Sequence, residues 1–183
     1  LVFWYMKDAL GIVAQPTGQL NGVSNKQVRY SPSGRYIAAG LFSNQASTLK
    51  IIDADQQKVL FDVPGGHERQ IIGIWWIDDS LLVSTSEDVV RVWRISENSV
   101  NTVREFTAPG DKTYYAITHP KTPSRILIGA FQKIYDWDYT NNKHRSIQCH
   151  EGIVSCLSYS QQSDILATTS HDKLVKLWKI GSS

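Results

Sequence analysis

Four unlike residues recur at nearly fixed offsets in this chain, and the recurrence narrows the fold more than any other feature. His67, Ser84, Asp88 and Trp93 are echoed by His150, Thr168, Asp172 and Trp178. Histidine to hydroxyl is 17 and then 18 residues, hydroxyl to aspartate 4 and 4, aspartate to tryptophan 5 and 6. Self-similarity at such a period marks a stacked or radial repeat architecture.

The spacing suits a small antiparallel sheet. Ile153–Tyr159 reads as a strand, Gln161–Asp164 as a turn, Ile165–Ser170 as a second strand, and Leu174–Ile180 as a third after a tight turn at His171-Asp172-Lys173. Thr168 and Trp178 then fall on adjoining strands, with Asp172 at their corner and His150 in the loop ahead. The expected network runs from aspartate to histidine, to hydroxyl, to indole N–H, and each buried polar group finds a partner. One such bond contributes roughly 1 kcal/mol net, whereas orphaning a partner costs about 1–3 kcal/mol.

On these residues the chain resembles the WD-repeat β-propellers, whose repeats carry Gly-His near the start and Trp-Asp near the end. Gly66-His67 matches the first pair, and Cys149-His150 keeps only the histidine. The terminal pairs are Trp93-Arg94 and Trp178-Lys179, while a literal Trp137-Asp138 survives in a repeat lacking the rest of the set. The resemblance implies an all-β fold, a β-propeller of four-stranded antiparallel blades. Trp4, Ile52, Trp93, Trp137 and Trp178 anchor the third strands at intervals of 48, 41, 44 and 41 residues. About four repeats follow, at 7–54, 55–96, 97–138 and 139–181, with 1–6 as a strand of a preceding repeat and 1–183 as a single propeller segment. Gln15–Lys26 reads as a Gly/Asn/Pro-rich loop that lengthens the first interval. An apolar strand at Leu1–Tyr5 without hairpin partners leaves its backbone unsatisfied. The expectation is therefore the C-terminal part of a larger propeller, in this family often seven-bladed, closed by further N-terminal repeats or by another chain. Two repeats lack the polar set: the one ending at Ile52 has neither histidine nor tryptophan, and the one ending at Trp137 has Phe131-Gln132-Lys133 at its turn. Apolar contacts are expected to replace the network there.

Composition narrows function. A net charge of +2 with scattered basic residues argues against direct nucleic-acid binding, and Lys176 and Arg91 read as solvent-facing. No run of 18 apolar residues suggests a membrane span. Two cysteines, Cys149 and Cys156, show neither disulfide framework nor Cys-x-x-Cys spacing, so an intracellular (cytoplasmic or nuclear) location without a metal site is expected. His150, Thr168 and Asp172 imitate a nucleophile triad, but a hydroxyl packed mid-strand has neither access nor oxyanion donors. No catalytic residue and no cofactor is expected. In the Trp75-Trp76 pair, one ring is expected in the core between blades and the other on a groove wall.

Surface recognition remains. The resemblance places the partner-binding rim on loops beside the network: Glu68, Gln70, Glu87, Glu151, Ile153 and His171, with Asn44, Gln45, Gln132 and Lys133 at the equivalent turns of the other repeats. The function it implies is a non-enzymatic scaffold or adaptor for proteins or peptides within a multiprotein complex. The alternatives are a substrate-receptor or regulatory domain of a larger protein, or a subunit of a nucleic-acid-associated complex.

Overall fold

The computed structural model of the chain describes residues 2–5, 15–19, 25–43 and 46–180, with side chains at 27–42 and 47–180. Regular structure among them is antiparallel β throughout. β1 (Val2–Tyr5) pairs with β2 (Gln15–Gln19). β3 (Asn25–Tyr30), β4 (Tyr36–Ser43), β5 (Ala46–Asp53) and β6 (Lys58–His67) form a sheet in chain order. β7 (Gly73–Asp78), β8 (Leu81–Thr85), β9 (Val90–Ile95) and β10 (Val100–Phe106) form the next. β11 (Thr113–Thr118), β12 (Arg125–Asp138), β13 (Lys143–Ser160), β14 (Ile165–Ser170) and β15 (Val175–Lys179) share one continuous ladder. No helix among the described residues is long and apolar enough to cross a membrane.

That last ladder is two blades joined. β12 is a hairpin: the Tyr139 N–H donates to the Ser124 carbonyl at 3.1 Å, bringing the two ends of the run side by side, and Gln132 turns with φ of 62°. Residues 126–130 pair with β11, and 133–138 pair with 143–148 of β13. Beyond Gln148 the chain crosses over, and 154–160 of β13 pair with β14. The third blade is therefore four strands from 113–148. In the fourth, β13, β14 and β15 pair in turn, and β15 has no outer ladder partner among the described residues. Among those residues the blades do not close into a ring.

Most strand boundaries follow hydrophobic alternation and turn residues to within two positions. Two readings change. Gln15–Gln19, read as loop, is a strand, because β1 offers it a ladder that outweighs its weak propensity. In β15, Val175 and Leu177 face out at 67% and 68% exposure, while Lys176 and Trp178 turn toward the third blade. The alternation was legible, but which phase faced inward depended on where the neighbouring blade lay.

Each blade buries apolar side chains against the next. Leu49, Ile51, Ile71, Trp76 and Trp93 fill the first interface, and Val83, Val92, Phe106, Ile128 and Trp137 the second. Leu127, Ile134, Val154, Leu157 and Leu166 fill the third. Full burial of one such side chain contributes about 1.5–3 kcal/mol. Both members of the tryptophan pair bridge blades. Trp76 is buried and donates its indole N–H to the Arg29 carbonyl at 3.1 Å; Trp75 is half-buried and donates to Thr118 Oγ1 at 3.0 Å. Trp75 also lines a cavity of about 430 Å³ with Tyr115, Leu157 and Tyr159.

Close approach between the third and fourth blades is set by a glycine. A Cβ on Gly129 would stand 2.8 Å from the Val154 carbonyl oxygen and 3.1 Å from its Cγ1, and backbone cannot swing aside as a side-chain tip can. We expect Gly129→Ala to destabilise the protein by about 1–3 kcal/mol, measured by urea unfolding; an unchanged midpoint would show that the blades can part freely here.

Candidate functional site

The polar network pins each strand-entry loop to the blade that follows it. In the fourth blade, His150 Nδ1 lies 2.8 Å from Asp172 Oδ2 and its Nε2 lies 2.7 Å from Thr168 Oγ1. The Trp178 indole N–H donates to the same Thr168 oxygen at 3.0 Å. Asp172 also accepts from the Glu151 and Leu174 backbone N–H groups, each at 3.0 Å. One carboxylate thus closes the β14–β15 turn and holds the incoming chain. Burial alone would raise its pKa, but these backbone donors and His150 outweigh that and hold it down at about 2.

The second blade builds the set with one extra link. His67 Nε2 lies 2.6 Å from Ser84 Oγ, which accepts the Trp93 indole N–H at 2.7 Å. His67 Nδ1 meets not Asp88 but Ser86 Oγ at 3.0 Å, and Ser86 donates its hydroxyl proton to Asp88. The direct aspartate–histidine contact expected from the sequence is replaced by this relay, because the buried Ser86 hydroxyl stands between ring and carboxylate. Ser86 precedes Asp88 by two residues as Ser170 precedes Asp172, a signal present in the sequence.

Donor accounting fixes the protons. In the second blade His67 Nδ1–H donates to Ser86 Oγ, whose own proton goes to Asp88; Nε2 then accepts the Ser84 hydroxyl's proton, and that oxygen is left free to accept the Trp93 indole. This assignment needs a neutral ring. Burial, reinforced by the nearby Arg91 charge and opposed by Asp88, lowers the His67 pKa from 6.5 to about 4.

Arg91 and Lys176 are not solvent-facing side chains, contrary to the sequence reading. Each stands two residues before its blade's tryptophan and reaches the carbonyl just ahead of the network histidine. Arg91 donates to Gly66 O and pairs with Glu105 at 2.8 Å; Lys176 donates to Cys149 O at 2.7 Å. They occupy the same register as Lys50, which pairs with Asp62.

The remaining blades substitute other contacts. Ile128 and Ala39 stand where the strand hydroxyl would be, by register with Tyr135 and Lys50. Trp137 donates instead to Asn142 Oδ1 at 3.0 Å, with Phe106 at 5.4 Å between ring centroids and Tyr135 and His144 packed on the same Phe106 ring. In the first blade Ser47 donates to the Arg69 carbonyl at 2.6 Å and accepts from the Ile71 N–H at 3.2 Å. Asn142 and Ser47 had no repeated signature to reveal them. No buried side-chain nitrogen or oxygen among the described residues lacks a partner.

The rim residues lie in the loops that these clamps hold. Glu68, Glu151 and His171 are exposed, and Gln70, Glu87 and Ile153 are half-buried. Glu87 is already engaged, 2.9 Å from Lys112 and 3.7 Å from Arg69, tying neighbouring blades. Gln132 and Lys133 are half-buried, and Gln132 donates from its side chain to the Glu151 carbonyl at 3.2 Å. Asn44 and Gln45 lie outside the described residues. Phe131, which the sequence reading did not place on the rim, stands 48% exposed among them, its N–H held by Asp111. Thr168, the would-be nucleophile, is fully buried. Burial raises the neighbouring Cys149 thiol to about 11, far from a thiolate. Among the described residues no group of three or more His, Cys, Asp or Glu is placed to hold a metal ion.

These contacts define a class: a repeat protein of β-propeller blades, locked by histidine–hydroxyl–tryptophan clamps and bearing a polar rim of loops. A family model for the WD domain, G-beta repeat, matches residues 141–179, the stretch spanning the fourth-blade clamp. The chain is 32% identical over 158 residues to the transcriptional corepressor LEUNIG_HOMOLOG of Arabidopsis thaliana, covering 85% of this chain and 19% of that one. It is 28% identical over 183 residues to apoptotic protease-activating factor 1 of Rattus norvegicus, covering 92% and 13%. It is 24% identical over 168 residues to COMPASS component SWD3 of Saccharomyces cerevisiae, covering 89% and 51%. The chain belongs to the WD-repeat family, and it spans about half or less of each of these relatives.

Two outcomes follow from the clamp. Ser84→Ala orphans both the His67 ring and the Trp93 N–H, and should cost about 1–3 kcal/mol in urea unfolding, whereas Ser84→Thr, the residue of the fourth blade, should keep most of that stability. Acid should destabilise the fold. His67 is harder to protonate folded than unfolded, so its contribution is complete above 6.5 and is lost as pH falls from 6.5 toward about 4, in full about 3 kcal/mol. Asp172, also depressed, adds a loss in the same sense between 3.8 and about 2. An NMR titration of the His67 ring and a melting series against pH check both; a ring that titrates near 6.5 would contradict the burial argument.

Proposed function

We propose that this chain is a non-enzymatic scaffold or adaptor segment that grips proteins or peptides on its rim, inside a multiprotein complex. The observation that carries the reading is the division of labour at the network. The His and Ser/Thr side chains are buried, closed to substrate and, with the Trp indoles they hold, consumed in joining strands, whereas the loops beside them present side chains that can vary without disturbing the blades. The names of the relatives, a corepressor, a protease-activating factor and a complex component, support the same reading. Its repeat units are 7–54, 55–96, 97–138 and 139–181, completed into a ring by further repeats of the intact protein or by another chain. The setting is intracellular, and nucleic acid is not bound directly.

The gripping residues are Glu68, Gln70, Glu151, Ile153 and His171. Glu87 serves instead to hold Arg69 and Lys112 in place. Few of any such set carry much of the binding energy, so the test changes them together.

Reversing charge at Glu68 and Glu151, with His171→Glu, should weaken partner capture at least about tenfold, roughly 1.4 kcal/mol, while the melting midpoint stays within a degree or so. Capture by the intact protein, read by quantitative pull-down, decides it; undiminished capture removes the rim assignment. A salt titration with duplex DNA separates the nucleic-acid reading, since direct binding gives a steep dependence on salt.

A further inference from the structure

The loop joining β11 to β12 crosses the end of the third blade opposite the rim and carries Thr122-Pro123-Ser124-Arg125. A hydroxyl followed by proline, with a cation three residues on, is the pattern that proline-directed protein kinases favour. The chain has one other Ser/Thr-Pro pair, Ser31-Pro32, and the two environments differ. Ser31 is 3% exposed, its hydroxyl accepts the Tyr36 N–H at 3.1 Å, and Gly34 stands where the cation would be. Thr122 is half-buried at the surface, and its hydroxyl makes no hydrogen bond to a described residue. Its backbone is held at both ends: the N–H donates to the His119 carbonyl at 3.3 Å and the carbonyl accepts the Arg125 N–H at 2.9 Å.

Thr122 also lines a cavity of about 450 Å³ between the third and fourth blades, together with four cations: Lys121, Arg125, Arg145 and Lys179. The one carboxylate on its wall is Asp136, which is 10% exposed and taken up by Arg125 at 2.8 and 2.6 Å and by Arg145 at 3.0 Å. Lys121 reaches across to Asp164 at 2.7 Å and to the Ile180 carbonyl at 3.1 Å, so this loop already touches the fourth blade. Arg145 keeps 62% of its side chain exposed and Lys179 is exposed, leaving both able to receive an anion.

We propose that Thr122 is a phosphorylation site and that its phosphate binds in this cationic cavity, fastening the third blade to the fourth. In the transfer, Thr122 Oγ1 forms a bond to the γ-phosphorus of ATP as the bond to the β-phosphate breaks. ADP leaves, and the hydroxyl proton passes to the kinase. The product carries about −1.5 to −2 charge and three acceptor oxygens. Arg145 and Lys179 meet it with charge-assisted bonds from two different blades. Arg125, held by Asp136 in the closed structure, is read by the kinase when the short loop opens locally.

The test treats the intact protein with a proline-directed kinase that favours a basic residue at the third following position, with ATP and magnesium, and maps phosphate by tandem mass spectrometry. Phosphate is expected on Thr122 and not on Ser31, and Thr122→Val should lower incorporation at least about tenfold. Phosphorylation should raise the melting midpoint by about 3 °C. Raising salt to about 0.5 M, or Arg145→Ala with Lys179→Ala, should abolish that gain without lowering incorporation. Failure to label Thr122, or labelling that leaves the midpoint unchanged or lowers it, would overturn the proposal. The unphosphorylated double variant, melted alongside, separates loss of the phosphate contact from simple damage to the fold.

Discussion

A buried imidazole that needs a partner for each of its two nitrogens is the constraint on which the rest depends. His67 and His150 are each nearly sealed from water, and each spends both ring nitrogens on partners within its own repeat. Such a ring stabilises only if a hydroxyl, an indole and an acid arrive from three further places in the chain. Those three places are the middle strand, the next strand and the turn between them. Satisfying one histidine therefore fixes a hairpin's register and its entry loop together, a cooperative demand that a purely apolar core does not make. The cations one layer out, Arg91 and Lys176, extend the same logic by capping the carbonyl ahead of each histidine.

The network is not indispensable to the blade. The first and third blades keep the same strand order while using Ser47 and Ile71, or Asn142 and the rings around Phe106. Backbone ladders and inter-blade burial are common to all of them, and the polar set adds specificity where it occurs. That separation supports the adaptor reading. Loops anchored so firmly can differ in side chain from repeat to repeat, as Glu68, Glu151 and His171 differ, while their backbones stay put.

Much of this was legible in the residues because both signals are local. Alternation and turn chemistry place the strand limits within two residues in most cases, and the histidine-to-tryptophan spacing spells out one blade at a time. Most of what escaped involved two blades at once, and the rest a strand partner distant in sequence. Gly129 looks like an ordinary strand glycine until Val154 is brought against it. Glu87 looks like a free rim carboxylate until Lys112 and Arg69 close around it. Arg91 and Lys176 look like solvent-facing strand positions until a carbonyl 25 or 27 residues away lies beside them. Gln15–Gln19 looks like a loop until β1 supplies a ladder.

The amino-acid sequence alone determined the all-β architecture and the recurring spacing of histidine, hydroxyl, aspartate and tryptophan, since both rest on residues whose spacing matches the geometry of a single hairpin. Tertiary structure decided the inward phase of β15, the Ser86 relay, the engaged state of Glu87 and the gathering of four cations on the wall of the cavity that Thr122 also lines. The physical reason is range. A strand's period and a turn's chemistry are written in neighbouring residues, but which face is dry and which charge is already neutralised depend on surfaces that meet only after the blades have packed.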